Sequence, residues 1–368
     1  MIVLRILLFL AGAALALFTI RSIVRTFLVP RALQAHLSRA VFVEVRRVFR
    51  LFANDRQDYT TRDRVMAIYA PASLLVLLVV WVAILLAGYT AMFFALGGVS
   101  PFEAFTLAGS SMLTLGFLHP PTGGGVLLAI TAAGLGLVVL ALFITYLPSL
   151  YGGFQRRERG VSKLEVRAGQ PPSGVYLIAL AWTVGQLENL RALWAEWEDW
   201  FVDVDESHSS FPALAFFRST HPDQSWITAA GAILDGASLF ASTVDTPRQP
   251  EPEFMIRSGY LCLRHLAVFF NIAVDDDPEP DDPISVTREE FDAAVQRLSE
   301  AGVPLKTDRD RCWRDFAGWR VNYDAALVAL ARLTMAPMAP WSSDRYEDVH
   351  FVPPAFPWLR RGGQRSGG

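Results

Sequence analysis

The residues of this chain that could most readily do chemistry are Ser111, Thr114 and Gly116, which interrupt a long apolar stretch. At membrane depth, backbone carbonyls can replace the hydration shell of a cation, and glycine allows backbone conformations that side chains forbid. We therefore predict a cation-coordinating segment whose ligands are the carbonyls of Thr114, Leu115, Gly116 and Phe117. The hydroxyl of Thr114 is a further candidate ligand.

This segment lies in a part of the chain with almost no charge. Between Val65 and Gln155 the one formal charge is Glu103, and His119 is the one further group that titrates near neutrality. About 20 apolar residues cross the hydrocarbon core, so the stretch is too long for a single membrane helix. We predict three segments: a spanning helix over residues 67–96, a short helix over 102–113, and a spanning helix over 126–147 that ends at Pro148.

The motif Ser111-Met-Leu-Thr114-Leu-Gly116-Phe117 resembles the pore loop of the potassium channel superfamily, whose filter reads Thr/Ser-x-x-Thr-Val-Gly-Tyr/Phe-Gly-Asp. The preceding Phe102-Glu-Ala-Phe105 resembles the start of the pore helix in the same family. The resemblance covers about residues 67–151, under a quarter of the chain.

The resemblance implies a pore domain over residues 67–155, with two spanning helices, a re-entrant pore helix and a filter loop. The selectivity filter would comprise the following residues: Ser111, Thr114, Leu115, Gly116, Phe117 and Leu118. Because one pore loop cannot close a ring, the resemblance also implies a homotetramer. The permeant ion would be potassium or another monovalent cation, with no other cofactor.

The chain departs from the family pattern at Leu118 and His119, where the family has its second filter glycine and an aspartate. A leucine resists the left-handed conformation that glycine supplies, at a cost of about 1–2 kcal/mol. Two functions therefore stay open. One is a cation channel controlled by a helical cytosolic domain. The other is a non-conducting membrane scaffold or sensor with a degenerate pore loop, whose helical domain binds a partner.

The N-terminal region is predicted to be a further membrane helix, within residues 1–29. Residues 6–20 are apolar and are flanked by Arg5 and Arg21. A cleaved signal peptide is the alternative, since Ala14-Leu-Ala16 resembles a cleavage site. We favour a retained helix because the following segment has the composition of a cytoplasmic loop.

That following segment is strongly basic. Residues 21–66 contain ten arginines against four acids, and short loops rich in arginine face the cytoplasm. Within residues 30–66, five apolar residues recur at helical spacing: Val41, Val45, Val48, Phe49 and Phe52. This pattern favours a helix on the inner membrane surface that binds anionic lipid headgroups, although an ordinary solvated basic helix stays open. Residues 97–125 contain no Lys or Arg. We therefore predict a multi-pass protein of the inner (plasma) membrane, with its N-terminus outside and its C-terminal domain in the cytoplasm.

The C-terminal half is more polar and shows helical periodicity with few strand signals. We predict an all-α cytosolic domain over residues 170–350 and a disordered tail over 351–368. The expected helices are 175–202, 225–244, 253–274, 288–301 and 309–335. Thr287 and Glu290 have the spacing of a capping box. The stripe of Trp194, Trp197 and Phe201 predicts a core face.

Several classes of function are excluded or disfavoured. A net charge of −3 gives no basis for nucleic-acid binding. The two cysteines, Cys262 and Cys312, are predicted to be reduced thiols because they form no spacing motif. The chain has no phosphate-binding glycine loop, nucleophile elbow or HExxH motif, so we predict that it is not an enzyme. The acidic run over residues 275–282 lacks the pattern of an EF-hand and is expected to be solvated.

Overall fold

A computed structural model describes residues 2–27, 36–53 and 58–348 of the protein. Within these ranges the protein is all-helical, and the one strand-like feature is an isolated bridge between Val244 and Leu305. The predicted disordered tail over 351–368 lies outside the described residues. The described residues form two units, the first within Met1–Gly152 and Ser210–Phe217, the second within Gly153–Ser209 and Arg218–Gly368.

The first unit contains three helices that are long and apolar enough to cross a membrane. The helices that begin in this unit are α1 (Ile2–Phe27), α2 (His36–Phe52), α3 (Tyr59–Leu96), α4 (Pro101–Met112) and α5 (Gly123–Ala168). The candidate spans are α1, α3 and α5, which confirms the prediction of three.

Helices α1 and α3 cross where two glycines meet. A Cβ atom added to Gly12 would lie 2.4 Å from the carbonyl oxygen of Gly88, and one added to Gly88 would lie 2.8 Å from that of Gly12. Without a hydrophobic driving force in lipid, such close backbone approach is how membrane helices gain packing energy. The buried indole of Trp81 on α3 also donates a 3.1 Å hydrogen bond to the hydroxyl of Ser22 on α1.

One proline does not act as the sequence suggested. Helix α5 continues through Pro148 to Ala168, so the predicted end at Pro148 is wrong. Proline removes one hydrogen bond, but the later residues Val161 and Leu164 are buried in the second unit and keep the chain helical. The division between the two units falls inside α5, after Gly152.

The second unit is a bundle built around one almost fully buried helix. Its helices are α6 (Gly174–Thr183), α7 (Leu190–Ser210), α8 (Trp226–Thr243), α9 (Glu251–Phe269), α10 (Arg288–Glu300), α11 (Arg309–Arg320) and α12 (Asp324–Thr334). Helix α8 is central, with both its apolar and its small residues buried. Trp194, Trp197 and Phe201 are buried on α7, so their prediction as core residues is confirmed.

Two predicted helices of this unit are each divided in two. The expected helix over 175–202 is α6 and α7, separated at Gly185, whose φ is 68°. The expected helix over 309–335 is α11 and α12, which meet at the buried Tyr323. In both cases the apolar periodicity continues across a tight break, so the pattern could not reveal it. The capping box at the start of α10 is confirmed, with Thr287 accepting from the Glu290 amide.

A buried ion cluster joins the helices of the second unit. The Arg320 guanidinium on α11 donates to the carboxylates of Asp235 on α8 and of Asp324 on α12. The Tyr323 hydroxyl donates to Asp235 at 2.9 Å. Burial raises the pKa of Asp235 to about 6, although the Arg320 charge opposes the shift. The cluster satisfies an arginine that would otherwise be a buried, unpaired charge.

A second buried polar contact involves His208 on α7. Its Nε2 atom lies 3.1 Å from Nη1 of Arg157, and its Nδ1 lies 3.0 Å from the carbonyl oxygen of Val204. The arginine must donate, so Nε2 accepts and Nδ1–H donates to the carbonyl. Burial, reinforced by the Arg157 charge, lowers the pKa of His208 well below its usual value. The imidazole is therefore neutral in the folded protein.

A candidate ion-coordinating loop

The predicted short helix is present as α4, and its sequence explains both of its ends. Ser100 caps the N-terminus, accepting from the Glu103 amide at 3.3 Å while its own amide donates to the Glu103 carboxylate at 2.7 Å. Pro101 occupies the first turn, where its missing N–H costs nothing. Twelve residues rise about 18 Å, well short of a 30 Å hydrocarbon core. Helix α4 alone cannot cross a membrane.

The last residue of α4 is held against α5 by a glycine. A Cβ atom on Gly136 would lie 2.0 Å from the Met112 carbonyl oxygen, so only glycine fits at this contact. Gly134, two residues earlier on α5, has open space around it. Of these two glycines, Gly136 alone is required by close packing against α4.

The loop between α4 and α5 (residues 113–122) is folded around the buried Ser110. The Ser110 carbonyl accepts hydrogen bonds from the amides of Leu115 at 2.8 Å and Gly116 at 3.2 Å. The Ser110 hydroxyl accepts from the amide of Phe117 at 3.1 Å. Three consecutive amides are thus bound by one side chain and one carbonyl of the same residue. Ser110 was not among the predicted site residues, and its position beside Ser111 was the only signal for it.

The carbonyls of the same loop have no such partners. Among the described residues, the carbonyl oxygens of Thr114, Leu115, Gly116 and Phe117 accept no hydrogen bond. Backbone carbonyls without donors are the ligands that a dehydrated cation requires. An anion would instead need free amides, and here three of the amides are already bound to Ser110. The electrostatic arrangement therefore suits a cation.

Backbone strain in the loop is located at Thr114 and not at Leu118. Thr114 has a φ of 57° and Gly116 a φ of 69°, whereas Leu118 has no left-handed conformation. The expected cost at Leu118 is therefore wrong, because the left-handed residues belong to the turn around Ser110. A β-branched residue in this region costs of order 1–3 kcal/mol, and such strain clusters at functional sites.

Five of the six predicted filter residues lie in this loop, and the sixth, Ser111, is in the last turn of α4. Ser111 is half-buried, and its carbonyl accepts from the Thr114 amide at 3.0 Å. The remaining five, Thr114 to Leu118, are exposed in the single chain. Leu115 and Phe117 are each 61% exposed, a high value for large apolar side chains.

Helix α5 has three faces that follow from its 100° turn per residue. The buried face carries Ala132, Val139, Phe143, Tyr146 and Leu150. One exposed face carries large aliphatic residues: Ile130, Leu137, Leu140 and Ile144. The other exposed face carries mostly small or hydroxyl-bearing residues: Thr131, Gly134, Val138, Ala141 and Thr145. The hydroxyls of Thr131 and Thr145 donate to carbonyls of their own helix.

Comparison with known proteins supports the membrane assignment. No protein-family model matches the sequence, and no solved structure matches it. The chain is similar to the uncharacterized membrane protein YdjJ of Bacillus subtilis (strain 168), with 22% identity over 259 residues. The match covers 66% of this chain and 71% of the relative. The chain is a membrane protein. Its transmembrane helices are drawn from α1, α3 and α5.

The other candidate sites are weaker. Among the described residues, no group of three or more His, Cys, Asp or Glu is placed to hold a metal ion, including the acidic run at 275–282. Cys262 and Cys312 are free and buried, and burial raises the pKa of the Cys262 thiol well above its usual value. Neither cysteine is a thiolate at neutral pH, which is the form that would bind a metal or act as a nucleophile.

Proposed function

We propose that this protein is a homotetrameric cation channel whose preferred permeant ion is potassium. The observation that carries the proposal is the loop around Ser110, in which three amides are bound and the carbonyls of residues 114–117 have no donor. In a tetramer, four such loops would surround one axis. Their carbonyls, with the hydroxyl of Thr114, would replace the water around a potassium ion.

The direction of α4 supports a cation. Its C-terminus meets the loop at Met112, and the C-terminal end of a helix carries a partial negative charge of about half an electron. A basic side chain would oppose the passage of a cation, and residues 97–125 contain no Lys or Arg. Both features lower the energy of a cation at the loop.

The exposed faces of α5 support a ring of four copies. The face with Thr131, Gly134, Ala141 and Thr145 would line the ion path, because small residues leave room and internally satisfied hydroxyls tolerate either water or lipid. The large aliphatic face would contact lipid or a neighbouring copy. Closed point-group symmetry is the usual arrangement of soluble homo-oligomers, and we extend it to this membrane assembly.

Helix α2 would lie on the cytoplasmic membrane surface and bind anionic lipid. Its exposed face combines Arg47 with Val48, Leu51 and Phe52, which recur at three and four residues. Leu51 is 79% exposed and Phe52 65% exposed. Apolar side chains would enter the headgroup region, while Arg47, which also forms an exposed ion pair with Glu44 of the same helix, would face lipid phosphates. This placement puts the N-terminus outside and the second unit in the cytoplasm.

The channel proposal is tested by ion flux through the purified protein in liposomes, comparing potassium, sodium and chloride. Gly116→Val is the test variant, because a β-branched residue cannot easily adopt a φ of 69° although the space around it is open. Gly123→Val is the matched control, since Gly123 also has open space but no left-handed φ.

The expected result is potassium flux that Gly116→Val abolishes and Gly123→Val retains. Cation flux without discrimination between potassium and sodium would support the channel function and refute the proposed selectivity for potassium. Flux that is absent under every voltage and pH tested would overturn the channel and favour the non-conducting scaffold. Light scattering of the detergent complex measures the number of chains, for which we expect four.

The lipid proposal has its own test. In vesicles of phosphatidylcholine with a quarter of phosphatidylglycerol, the protein should melt at a higher temperature than in phosphatidylcholine alone. Arg47→Gln should reduce this difference, whereas Arg311→Gln, an exposed arginine on α11, should not. Equal effects of the two substitutions would refute a specific role of α2.

A further inference from the structure

One short segment of the chain belongs to a different unit from the helices that flank it. Residues 210–217 begin at the last residue of α7 and precede α8, and they pack within the first unit although the rest of α7 and all of α8 belong to the second. The segment forms a 3-10 helix, Pro212–Phe216, whose residues Ala213, Leu214 and Ala215 are buried. We name residues 210–217 the aromatic strap.

The strap contacts α5 and α3 through three edge-to-face aromatic pairs. The ring centroids of Phe211 and Tyr146 are 5.2 Å apart, and their planes are inclined by 66°. Those of Phe217 and Tyr151 are 5.9 Å apart and inclined by 88°. Tyr146 and Tyr151 both lie on α5. These distances and angles are those at which aromatic pairs attract beyond their burial.

The third pair brings in α3 and α2. The ring of Phe216 lies 5.6 Å from that of Tyr69 on α3, at 85°. The guanidinium carbon of Arg46 on α2 lies 5.4 Å from the centre of the Phe216 ring, within the range of a cation–π contact. Phe49 on α2 also packs edge-to-face against Tyr69, at 5.9 Å. The strap therefore holds parts of α2, α3 and α5 at once.

The contacts continue from the strap across the first unit. Tyr146, which packs on Phe211, also contacts Phe27 of α1 at 4.8 Å. Phe27 in turn contacts Trp81 of α3 at 5.2 Å. A displacement of the strap would thus be felt by α1, α3 and α5 through a chain of packed rings.

We propose that the aromatic strap is the element through which the second unit sets the position of α5 against α3. The strap is covalently continuous with α7 and α8, so a rearrangement of these helices pulls on Phe211 and Phe217. Its effect on ion flux rests on the proposed channel function, while its effect on the packing of α5 does not. Coupling between the two units requires an element that has two arrangements, with the balance between them set by both units. In this proposal the two arrangements are the strap with its aromatic contacts made and the strap with those contacts released.

The proposal is tested by hydrogen exchange of the full-length protein in nanodiscs, read over residues 143–151 of α5. Phe211→Ala and Phe217→Ala should each lower protection there by about twofold to tenfold, the range expected for one aromatic pair. Phe254→Ala is the matched control, because Phe254 is an exposed phenylalanine of α9.

A strap that only stabilises the first unit would show the same loss of protection. A second substitution therefore separates stabilisation from coupling between the units. His208→Ala removes a buried contact of α7 in the second unit. We expect it to change protection over residues 143–151 in the otherwise unmodified chain, and to have no such effect in the Phe211→Ala and Phe217→Ala double variant. Transmission of the His208→Ala effect in the double variant would overturn the proposal, because the signal would then travel along α5 itself.

Flux measurements on the same proteins distinguish the two proposals. If the protein conducts, the double variant should conduct with an altered rate and no response to His208→Ala. If it does not conduct while the exchange results hold, the strap couples the units of a scaffold and the channel function is refuted. Unchanged exchange in the double variant refutes the strap whatever the flux.

Discussion

Gly136→Ala is expected to separate α4 from α5 and displace the candidate loop. The added Cβ would lie 2.0 Å from the Met112 carbonyl oxygen, whereas ordinary contact begins at 3.4 Å, so one backbone must move by about 1.4 Å (3.4 − 2.0). The Met112 carbonyl carbon would also be only 3.0 Å away, which means that no side-chain rotation relieves the clash. Overpacking of this kind typically costs about 1–3 kcal/mol. That corresponds to roughly 5-fold to 150-fold in the folding equilibrium.

The assay is unfolding in mixed detergent and SDS micelles, followed by modification of a buried thiol. Ser73→Cys provides the reporter, because Ser73 is fully buried on α3 and the replacement is nearly isosteric. Cys262 and Cys312 are replaced by serine so that they do not react. The control is Gly134→Ala, which enters open space and should change the free energy of unfolding by less than about 0.5 kcal/mol. Equal effects of the two substitutions would refute the close contact at Gly136.

Three further predictions concern the buried contacts that hold each unit together. Arg320→Met leaves Asp235 without its cation and should lower the free energy of unfolding by about 3–5 kcal/mol in urea titrations, with partial recovery on adding Asp235→Asn. His208 has a lowered pKa, so the unfolded chain binds a proton that the folded chain does not. Stability should therefore fall as the pH drops below about 6.5, by up to about 1.4 kcal/mol per pH unit. Thermal melts between pH 7.5 and 5.5 should show a smaller slope in His208→Gln, since Asp235, whose raised pKa acts with the opposite sign, is common to both proteins. Gly88→Leu should push α1 from α3 at the Gly12 contact and lower the SDS concentration at which the first unit unfolds; an unchanged midpoint would contradict the crossing.

The sequence was sufficient to predict the membrane helices, because each apolar residue along a span adds to the same hydrophobic signal. The end of α3 at Leu96 and the presence of α4 follow from charge-free runs and from the spacing of polar residues. The failures at the prolines have one physical cause, which is that burial by distant residues overrides local breakers. Helix α3 begins at Tyr59, before the predicted start at residue 67, so Pro71 lies in its interior. Pro148 is likewise inside α5.

The residues of the candidate loop could be predicted from the sequence, but their hydrogen bonds could not. Thr114 and Gly116 stand out as polar residues in an apolar stretch, but the role of Ser110 depends on three amides that only the folded backbone brings to it. The strap was missed for a similar reason. Phe211 and Phe217 have the composition of an ordinary apolar turn, and only tertiary packing assigns them to the first unit.

The strain at Thr114 gives a last prediction, which links stability to function. A threonine with a φ of 57° costs about 1–2 kcal/mol that glycine avoids. Thr114→Gly should therefore raise the stability of the first unit by about 1 kcal/mol in the thiol assay, even though it removes a side chain. If the protein conducts as proposed, Thr114→Gly should also lower the selectivity of flux for potassium over sodium, because the threonine hydroxyl is lost.

Thr114→Asn is the matched variant, since asparagine tolerates the left-handed region and keeps a polar side chain. Thr114→Asn should show part of the gain in stability expected for Thr114→Gly. It should also show a smaller loss of selectivity for potassium over sodium. A strained threonine would then be retained for its function in the proposed channel, because its hydroxyl would be needed at the ion path. If Thr114→Gly lowers stability, the left-handed conformation does not occur in the folded protein. If it raises stability and leaves flux unchanged, the strain serves only the turn around Ser110, and the loop needs another explanation.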